Sequence, residues 1–157
     1  LMTQLKAAHG SRVIMVTAPS TSPINFDDIP NPSKYSAFGQ FGVTKMMNLL
    51  FAFSLAELFK GTGHAAIAFH PGLIKSDIMS EGPILIKGLF RMLSTTPEKT
   101  SETLASLVLD GESTALNGKF YNKMMKQLTP HSNALDESVQ QKLWEKSEKL
   151  LQVPQQI

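Results

Sequence analysis

Two short runs of this chain, Arg12–Ala18 and Ala65–Phe69, carry apolar side chains at both odd and even positions. A strand with one face in water alternates apolar and polar residues, so a strand that is apolar on both faces is covered on both faces. Such strands are typical of parallel sheets, because the connections between parallel strands place helices over the sheet. The two runs therefore predict two buried strands of a parallel sheet.

A long apolar segment between the two runs predicts a helix from about Phe38 to Lys60, with Gly61 as its C-terminal cap. Its apolar residues lie nearly all round the helix, which indicates burial on more than one side. One side would cover the sheet, and the other would meet another helix or another subunit. We interpret its methionine and phenylalanine side chains as core residues rather than as a cofactor site.

The remaining segments complete an alternation of helices and strands in one domain, residues 1–157. Pro19–Pro32 contains four prolines among other turn-forming residues and predicts a loop. Pro97–Asp110 predicts a helix that begins at its proline, Gly118–Asn122 predicts a short strand, and Asp136 predicts the start of a last helix. Helices that alternate with strands in this way predict an α/β fold with a parallel sheet.

The composition excludes several classes of site and partner. The chain has 157 residues and no cysteine, which excludes disulfides, cysteine-ligated metals and thiol nucleophiles. Its four histidines are dispersed without metal-ligand spacing, so we expect no metal site. A net charge of +2 with scattered basic residues argues against a nucleic-acid partner. No uninterrupted apolar run reaches the roughly 18 residues that predict a membrane span.

The segment Met79–Ser94 allows three interpretations. Its apolar residues between Ile84 and Leu93 are interrupted by Lys87 and Arg91. The pattern is compatible with a lid over a substrate, with an interface helix, or with an amphipathic helix on a membrane surface. A lid or an interface explains the same residues without a membrane, so the membrane surface is the least favoured partner.

Several separated motifs of the chain resemble those of one known family. They are Ile24–Asp28, Phe41–Lys45, His70–Ser76, Gly118–Tyr121 and Leu143–Ser147. In this order they resemble the short-chain dehydrogenase/reductase family, and within it the branch of retinol dehydrogenases and WW-domain-containing oxidoreductases. The resemblance implies a partial Rossmann-type, doubly wound parallel sheet, comprising the last three strands and their helices. It also implies that the family's N-terminal dinucleotide-binding half precedes position 1 and is absent from this chain.

The resemblance implies a set of cofactor-binding positions. The family's lysine, which holds the nicotinamide ribose and lowers the pKa of the catalytic tyrosine, matches Lys45. Its proline-glycine turn, whose backbone approaches the nicotinamide, matches Pro71 and Gly72. Ile74 matches the position whose backbone amide meets the carboxamide, and Ser76 replaces the usual threonine beside the phosphates.

The family's catalytic serine and tyrosine have no hydroxyl counterpart in this chain, because Ala18 and Phe41 occupy their positions. Lys45 would then be a vestigial catalytic residue. The hydroxyl groups nearest in the sequence belong to Thr17, Ser20, Ser22 and Tyr35. Tyr35 is poorly placed as a substitute, since ten residues separate it from Lys45 and would span more than about 10 Å along a helix.

These observations predict a catalytically degenerate dehydrogenase-like protein that acts as a structural or accessory subunit of a larger assembly. We expect a protein partner that covers the edge of the Arg12–Ala18 strand and the Phe38–Lys60 helix, in an intracellular compartment. No cofactor is expected in this chain alone, and NAD(P) is expected only if the N-terminal half is supplied. The alternative is an NAD(P)-dependent oxidoreductase of a hydrophobic alcohol or carbonyl. Because the chain begins at Leu1, we expect a fragment, a processed chain or part of a longer protein.

Overall fold

Three parallel strands form one sheet, and helices pack on both of its faces. The computed structural model describes residues 2–19, 21–29, 33–74, 96–109 and 111–152. In chain order the elements are α1 Met2–Ala7, β1 Arg12–Val16, a 3-10 helix Phe26–Asp28, α2 Ala37–Leu58, β2 Ala65–His70, α3 Pro97–Leu109, α4 Ser113–Leu116, β3 Phe120–Asn122, a 3-10 helix Ser132–Leu135 and α5 Glu137–Leu151.

The sheet has the strand order β1-β2-β3, and both pairs of strands are parallel. Arg12 lies opposite Ala65 in the first pair, and Ala68 lies opposite Phe120 in the second. The prediction of an α/β fold with a parallel sheet is confirmed. Within the described residues β1 forms one edge of this sheet.

The central strand β2 is buried on both faces, as its sequence predicts. Ala66 and Ala68 pack among residues of α2, whereas Ile67 and Phe69 pack with Leu107 of α3. The small alanine side chains leave room for the bulky residues of α2 on one face. The aromatic and β-branched side chains fill the opposite face.

Helix α2 covers the sheet with one side and meets α5 with another. It begins after Ser36, whose side chain accepts a hydrogen bond from the amide of Gly39. The rings of Phe51 and Trp144 stack between the two helices at 5.6 Å, nearly parallel. The predicted burial of this helix on more than one side is therefore confirmed, and α5 is the helix that meets its second side.

Two predicted strands are shorter in the structure. β1 ends at Val16 rather than Ala18, because the Thr17 amide still donates to Phe69 but the next donor of the ladder would be residue 71, a proline without an N–H group. β3 begins at Phe120 rather than Gly118, because Gly118 adopts a left-handed conformation with φ of +69°. At the end of α5, Leu151 is 72% exposed.

The loop after β1 contains turns at its two adjacent acidic residues, Asp27 and Asp28. The Asn25 side chain accepts a hydrogen bond from the Asp27 amide, and the Asp28 carboxylate accepts one from the Ser33 amide at 2.8 Å. The segment Met79–Ser94, with its three interpretations, lies outside the described residues.

Two further sequence expectations concern metals and membranes. Within the described ranges no group of three or more potential metal ligands is found. Of the helices the structure describes, α2 is long and apolar enough to cross a membrane by length and composition. A helix at the centre of a folded core meets the same criterion, and α2 packs on both β1 and β2.

Candidate functional site

The carboxyl ends of β1 and β2 lie side by side beneath the first half of α2. Open parallel sheets bind ligands at this edge, since the loops that follow the strands diverge there. Ala18 follows β1, His70 ends β2 and the Pro71–Gly72 turn follows it. The structure thus brings the predicted site positions to one edge of the sheet, with Lys45 on the helix above it.

Two hydrogen bonds join α2 to the end of β1. The Thr17 hydroxyl donates to the backbone carbonyl of Lys45 at 2.7 Å. The Asn48 side-chain amide donates to the carbonyl of Val16 at 3.0 Å. Because the Thr17 hydroxyl proton is engaged by the helix backbone, this hydroxyl is not a free donor for a ligand.

The ammonium group of Lys45 lies over the ring of Phe41, with Nζ 5.3 Å from the ring centroid. The two residues are one helical turn apart, which brings their side chains together on the same face. A cation is attracted to the face of an aromatic ring, but a phenyl ring has no proton to exchange. Ala18 is 8% exposed and presents a methyl group.

The other nearby hydroxyls occupy different surroundings. Tyr35 is 76% exposed and precedes α2. Ser22 lies directly against Gly42, since a Cβ atom built on Gly42 would come within 3.2 Å of the backbone nitrogen of Ser22. Ser22 is therefore the candidate hydroxyl that the structure brings against the helix, one residue after Phe41. Ser20 lies outside the described residues.

His70 is a residue of this edge that sequence reasoning did not select. Its Nδ1 atom is buried and has no hydrogen-bond partner. Burial lowers the pKa of His70, a hydrogen bond with the Thr17 backbone opposes this effect, and the charge of Lys123 adds to it.

The Pro71–Gly72 turn requires its glycine. Gly72 has a φ of +76°, and a Cβ atom there would lie 3.0 Å from Cδ of Lys123 and 3.3 Å from its Nζ. The Lys123 side chain thus passes closely over this turn. The hydroxyl of Thr103 donates to the backbone carbonyl of Lys123 at 2.6 Å and fixes its position.

The remaining predicted cofactor positions are only partly described. Ile74 is half-buried just after the turn, and Ser76 lies outside the described residues. The assignment of Lys45, Pro71, Gly72 and Ile74 to a cofactor stays a prediction.

A separate groove of about 440 Å³ lies between α2 and α5. Its lining includes the carboxylates of Glu57, Glu137, Glu145 and Glu148 beside Trp144. Glu57 is twelve residues beyond Lys45, or about 18 Å along the helix. The groove is therefore distinct from the carboxyl edge of the sheet.

The curated proteins most similar in sequence include retinol dehydrogenases. Human retinol dehydrogenase 14 is 30% identical over 94% of this chain and 46% of its own length. Mouse retinol dehydrogenase 12 is 30% identical over 96% of this chain and 49% of its own length. The chain thus spans about half the length of the curated relatives it matches. No family model matches the chain.

Solved structures share the fold at lower sequence identity. An uncharacterized protein from Mycobacterium paratuberculosis aligns over 91% of this chain and 51% of its own, with a TM-score of 0.59 and 19% identity. NADPH-bound carbonyl reductase from chicken fatty liver aligns over 82% of this chain and 49% of its own, with a TM-score of 0.58 and 18% identity. The sheet is accordingly part of a Rossmann-type fold. The sequence relatives confirm the resemblance of the chain to the short-chain dehydrogenase/reductase family over nearly its whole length.

Proposed function

We propose that this chain is a catalytically degenerate short-chain dehydrogenase/reductase that serves as a structural or accessory subunit of a larger assembly. The observation that carries the proposal is the pairing of Lys45 with Phe41, one turn apart, with Nζ 5.3 Å from the centroid of a ring that has no hydroxyl. In the family the lysine assists a tyrosine at this position, and here it has no acid to assist.

The chemistry of the family requires a proton to move to or from the substrate oxygen as hydride is transferred. A positioned general acid contributes roughly 10²–10⁴-fold to such a rate. Loss of one hydrogen-bond donor to the reacting oxygen costs about 2.7–4 kcal/mol of transition-state stabilisation. Ala18 and Phe41 provide neither group, and the hydroxyl proton of Thr17 is engaged by Lys45.

The described residues form only part of a nicotinamide dinucleotide site, and one side chain must move before a ring can stack there. Lys45 is retained, but the Lys123 side chain packs over Gly72, where a Cβ atom would already contact it at 3.0 Å. A planar ring stacked on this turn would have to displace that side chain. We therefore derive no reaction step through NAD(P), which relatives of this family use.

The accessory role accounts for two surfaces of the described chain. β1 lies at an edge of the sheet with Val16 45% exposed, and an uncovered strand edge promotes aggregation. At the start of α2, Phe38 and Phe41 are 68% and 50% exposed. We propose that a protein partner covers this edge and the first half of α2, since α5 already packs on the helix elsewhere.

Hydride transfer tests the degenerate assignment. The protein, with any polypeptide that copurifies with it, is assayed with NADH or NADPH and a long-chain aldehyde, and in reverse with the oxidised cofactors and the alcohol. We expect no turnover. A turnover that disappears in Lys45→Met would contradict the proposal, because it would require a working site around that lysine.

The double variant Ala18→Ser, Phe41→Tyr extends the test. Both hydroxyls of the family would then be restored on the same backbone. A gain of hydride transfer in this variant alone shows that the protein has lost the chemistry and kept the binding site, which supports degeneracy. Equal turnover by the parent and the double variant would refute it.

The alternative function is an NAD(P)-dependent oxidoreductase of a hydrophobic alcohol or carbonyl. It is favoured by the retinol dehydrogenases among the relatives and by the contact of Ser22 with Gly42, which brings a hydroxyl beside the Phe41 position. If this alternative holds, the parent protein turns over and Ser22→Ala loses at least roughly 10²-fold of the rate.

A further inference from the structure

A groove of about 440 Å³ between α2 and α5, the α2–α5 groove, gathers negative charge on a protein whose net charge is +2. Its volume lies within the roughly 300–1,000 Å³ typical of ligand sites. Its charged and polar lining, with one aromatic ring, includes Glu57, Glu137, Gln140, Trp144, Glu145 and Glu148. In the described residues Glu57 pairs with Lys60, and the other three carboxylates pair with no cation. Their charge is therefore available to a cationic ligand.

The hydrogen-bond donors of the groove are engaged by acceptors of the chain itself. The indole Nε1 of Trp144 donates to the Glu148 carboxylate at 3.0 Å. The side-chain amide of Gln141 donates to Glu145 at 2.8 Å, and the Ser54 hydroxyl donates to the backbone of α2 at 2.9 Å. A carboxylate has about four acceptor sites, so Glu145 and Glu148 can accept further hydrogen bonds.

Gln140 is a buried residue of the groove wall, 7% exposed. Its Nε2 atom donates to the carbonyl of Ala134 at 2.9 Å, which fixes the orientation of the amide. Within the described chain its Oε1 atom accepts no hydrogen bond, yet this atom is not enclosed in the core. It therefore faces the groove that Gln140 lines, where a ligand can donate a hydrogen bond to it.

The acidic groups are spread along the groove rather than gathered at one point. Glu137 and Glu148 are eleven residues apart on α5, or about 16 Å along the helix. In the part of the chain that the structure describes, no three potential metal ligands come together. An extended peptide rises about 3.3 Å per residue, so about five residues match this length. The groove is thus suited to a peptide segment rather than to a single ion.

The groove offers acceptors, negative charge and an aromatic ring, and a guanidinium complements all three. It carries five N–H donors and a fixed positive charge, and its planar face stacks on aromatic rings. We propose that the α2–α5 groove binds an extended segment of a partner polypeptide that contains several arginines. One guanidinium donates to Gln140 Oε1, and others pair with the glutamates along the groove. A lysine ammonium has three donors and no planar face, so the groove prefers arginine.

The α2–α5 groove is separate from the surface for which a partner is proposed above. Glu57 lies about 18 Å beyond Lys45 along α2, away from the exposed Phe38 and Phe41 at the start of the helix. The inference goes beyond the proposed function, because arginine binding requires neither a lost nor a working catalytic site. Its failure would leave the outcome of the hydride-transfer tests unchanged.

Three matched pentapeptides test the preference for the guanidinium. The dye-labelled sequence Arg-Gly-Arg-Gly-Arg is compared by fluorescence anisotropy with versions in which citrulline or lysine replaces each arginine. Citrulline keeps the shape of arginine and removes its charge. At low salt we expect the arginine peptide to bind at least about tenfold more tightly than the citrulline peptide, and more tightly than the lysine peptide. Equal binding of either replacement peptide would overturn the proposal.

The double variant Glu145→Gln, Glu148→Gln locates the binding in the groove. It removes two charges and keeps an acceptor for the Trp144 indole. We expect it to weaken binding of the arginine peptide at least about tenfold. The control Glu102→Gln, Glu112→Gln makes the same change in net charge at exposed residues outside the groove and should bind as the parent does. Equal losses in the two variants would overturn the proposal. If the groove variant does not fold, the comparison of arginine with citrulline on the parent protein decides.

Discussion

The loop after β1 contacts α2 at Gly42. A Cβ atom added here would overlap Ser22 Oγ and lie 3.2 Å from the Ser22 backbone nitrogen. We expect Gly42→Ala to lower the free energy of unfolding by about 1–3 kcal/mol, because the loop must shift away from the helix. Thermal or denaturant unfolding of the variant measures this change.

Gly39→Ala is the matched control in the same helix. Its Cβ atom would contact Ser36 at 3.5 Å, an ordinary packing distance. Alanine is the better helix former by about 1 kcal/mol, so this variant is expected to be neutral or more stable. Equal stability changes in the two variants would show that contact with Ser22 does not limit the side chain that position 42 can hold.

The buried ring of His70 predicts a loss of stability in mild acid. Burial lowers the pKa of His70 below its ordinary value of 6.5, so the unfolded chain binds a proton more readily than the folded one. The stabilisation is present above the unfolded pKa and is lost as the pH falls from about 6.5 through the folded pKa. We expect the unfolding midpoint to fall between about pH 7.5 and 5.5.

His70→Phe separates this titration from that of the other histidines. The variant should flatten the dependence on pH. A slope that is the same in the variant and in the parent protein would show that His70 does not titrate differently on unfolding.

Single residues differ in how far the sequence reveals them. The absence of hydroxyls at Ala18 and Phe41 is visible in the sequence once the motif is aligned. The buried Nδ1 atom of His70, which has no hydrogen-bond partner, is not visible in the sequence, because its burial depends on how the chain packs around the end of β2. The contact of Ser22 with Gly42 depends on the path of a loop, which turn-forming residues indicate but do not define.

At the scale of the elements, Arg12 joins the start of β1 to the end of α3. Its guanidinium donates to the carbonyl of Leu107 at 2.8 Å and to that of Gly111 at 2.5 Å. The last carbonyls of a helix have no partner within the helix, and a cation there also meets the negative end of its dipole. The side chain also donates to Ser113 Oγ at 3.1 Å.

We therefore expect Arg12→Met to lower the free energy of unfolding by about 1–3 kcal/mol, since it removes charged hydrogen bonds and keeps the aliphatic stem. Denaturant unfolding measures the change. The control Lys60→Met removes an exposed ion pair with Glu57, expected to contribute about 0–1 kcal/mol. A loss no larger in Arg12→Met than in the control would contradict this role of Arg12.

The elements themselves were largely predictable, since their signals are local and strong. The predicted helix Phe38–Lys60 is observed as Ala37–Leu58, and the Asp136 side chain caps α5 by accepting hydrogen bonds from two backbone amides. The one-turn helix α4 was missed, because four residues carry no helical periodicity. The ends of the strands were less predictable, since they depend on which backbone carbonyls accept a hydrogen bond from the neighbouring strand.

At the scale of the whole molecule, the described chain leaves a strand edge and several aromatic side chains uncovered. β1 lies at an edge of the sheet, and aromatic side chains at the start of α2 are exposed. The protein also spans about half the length of the retinol dehydrogenases that it matches. We propose that a polypeptide pairs with β1 and covers the first half of α2.

Native mass spectrometry of the protein purified from its own source tests this claim most directly. We expect this chain in a stable complex with other polypeptides and without a nicotinamide dinucleotide. Dissociation in the gas phase then identifies the partners. A free, cooperatively folded monomer would contradict the accessory role. A complex that carries NAD(P) would also contradict it, because it would show that the cofactor site works.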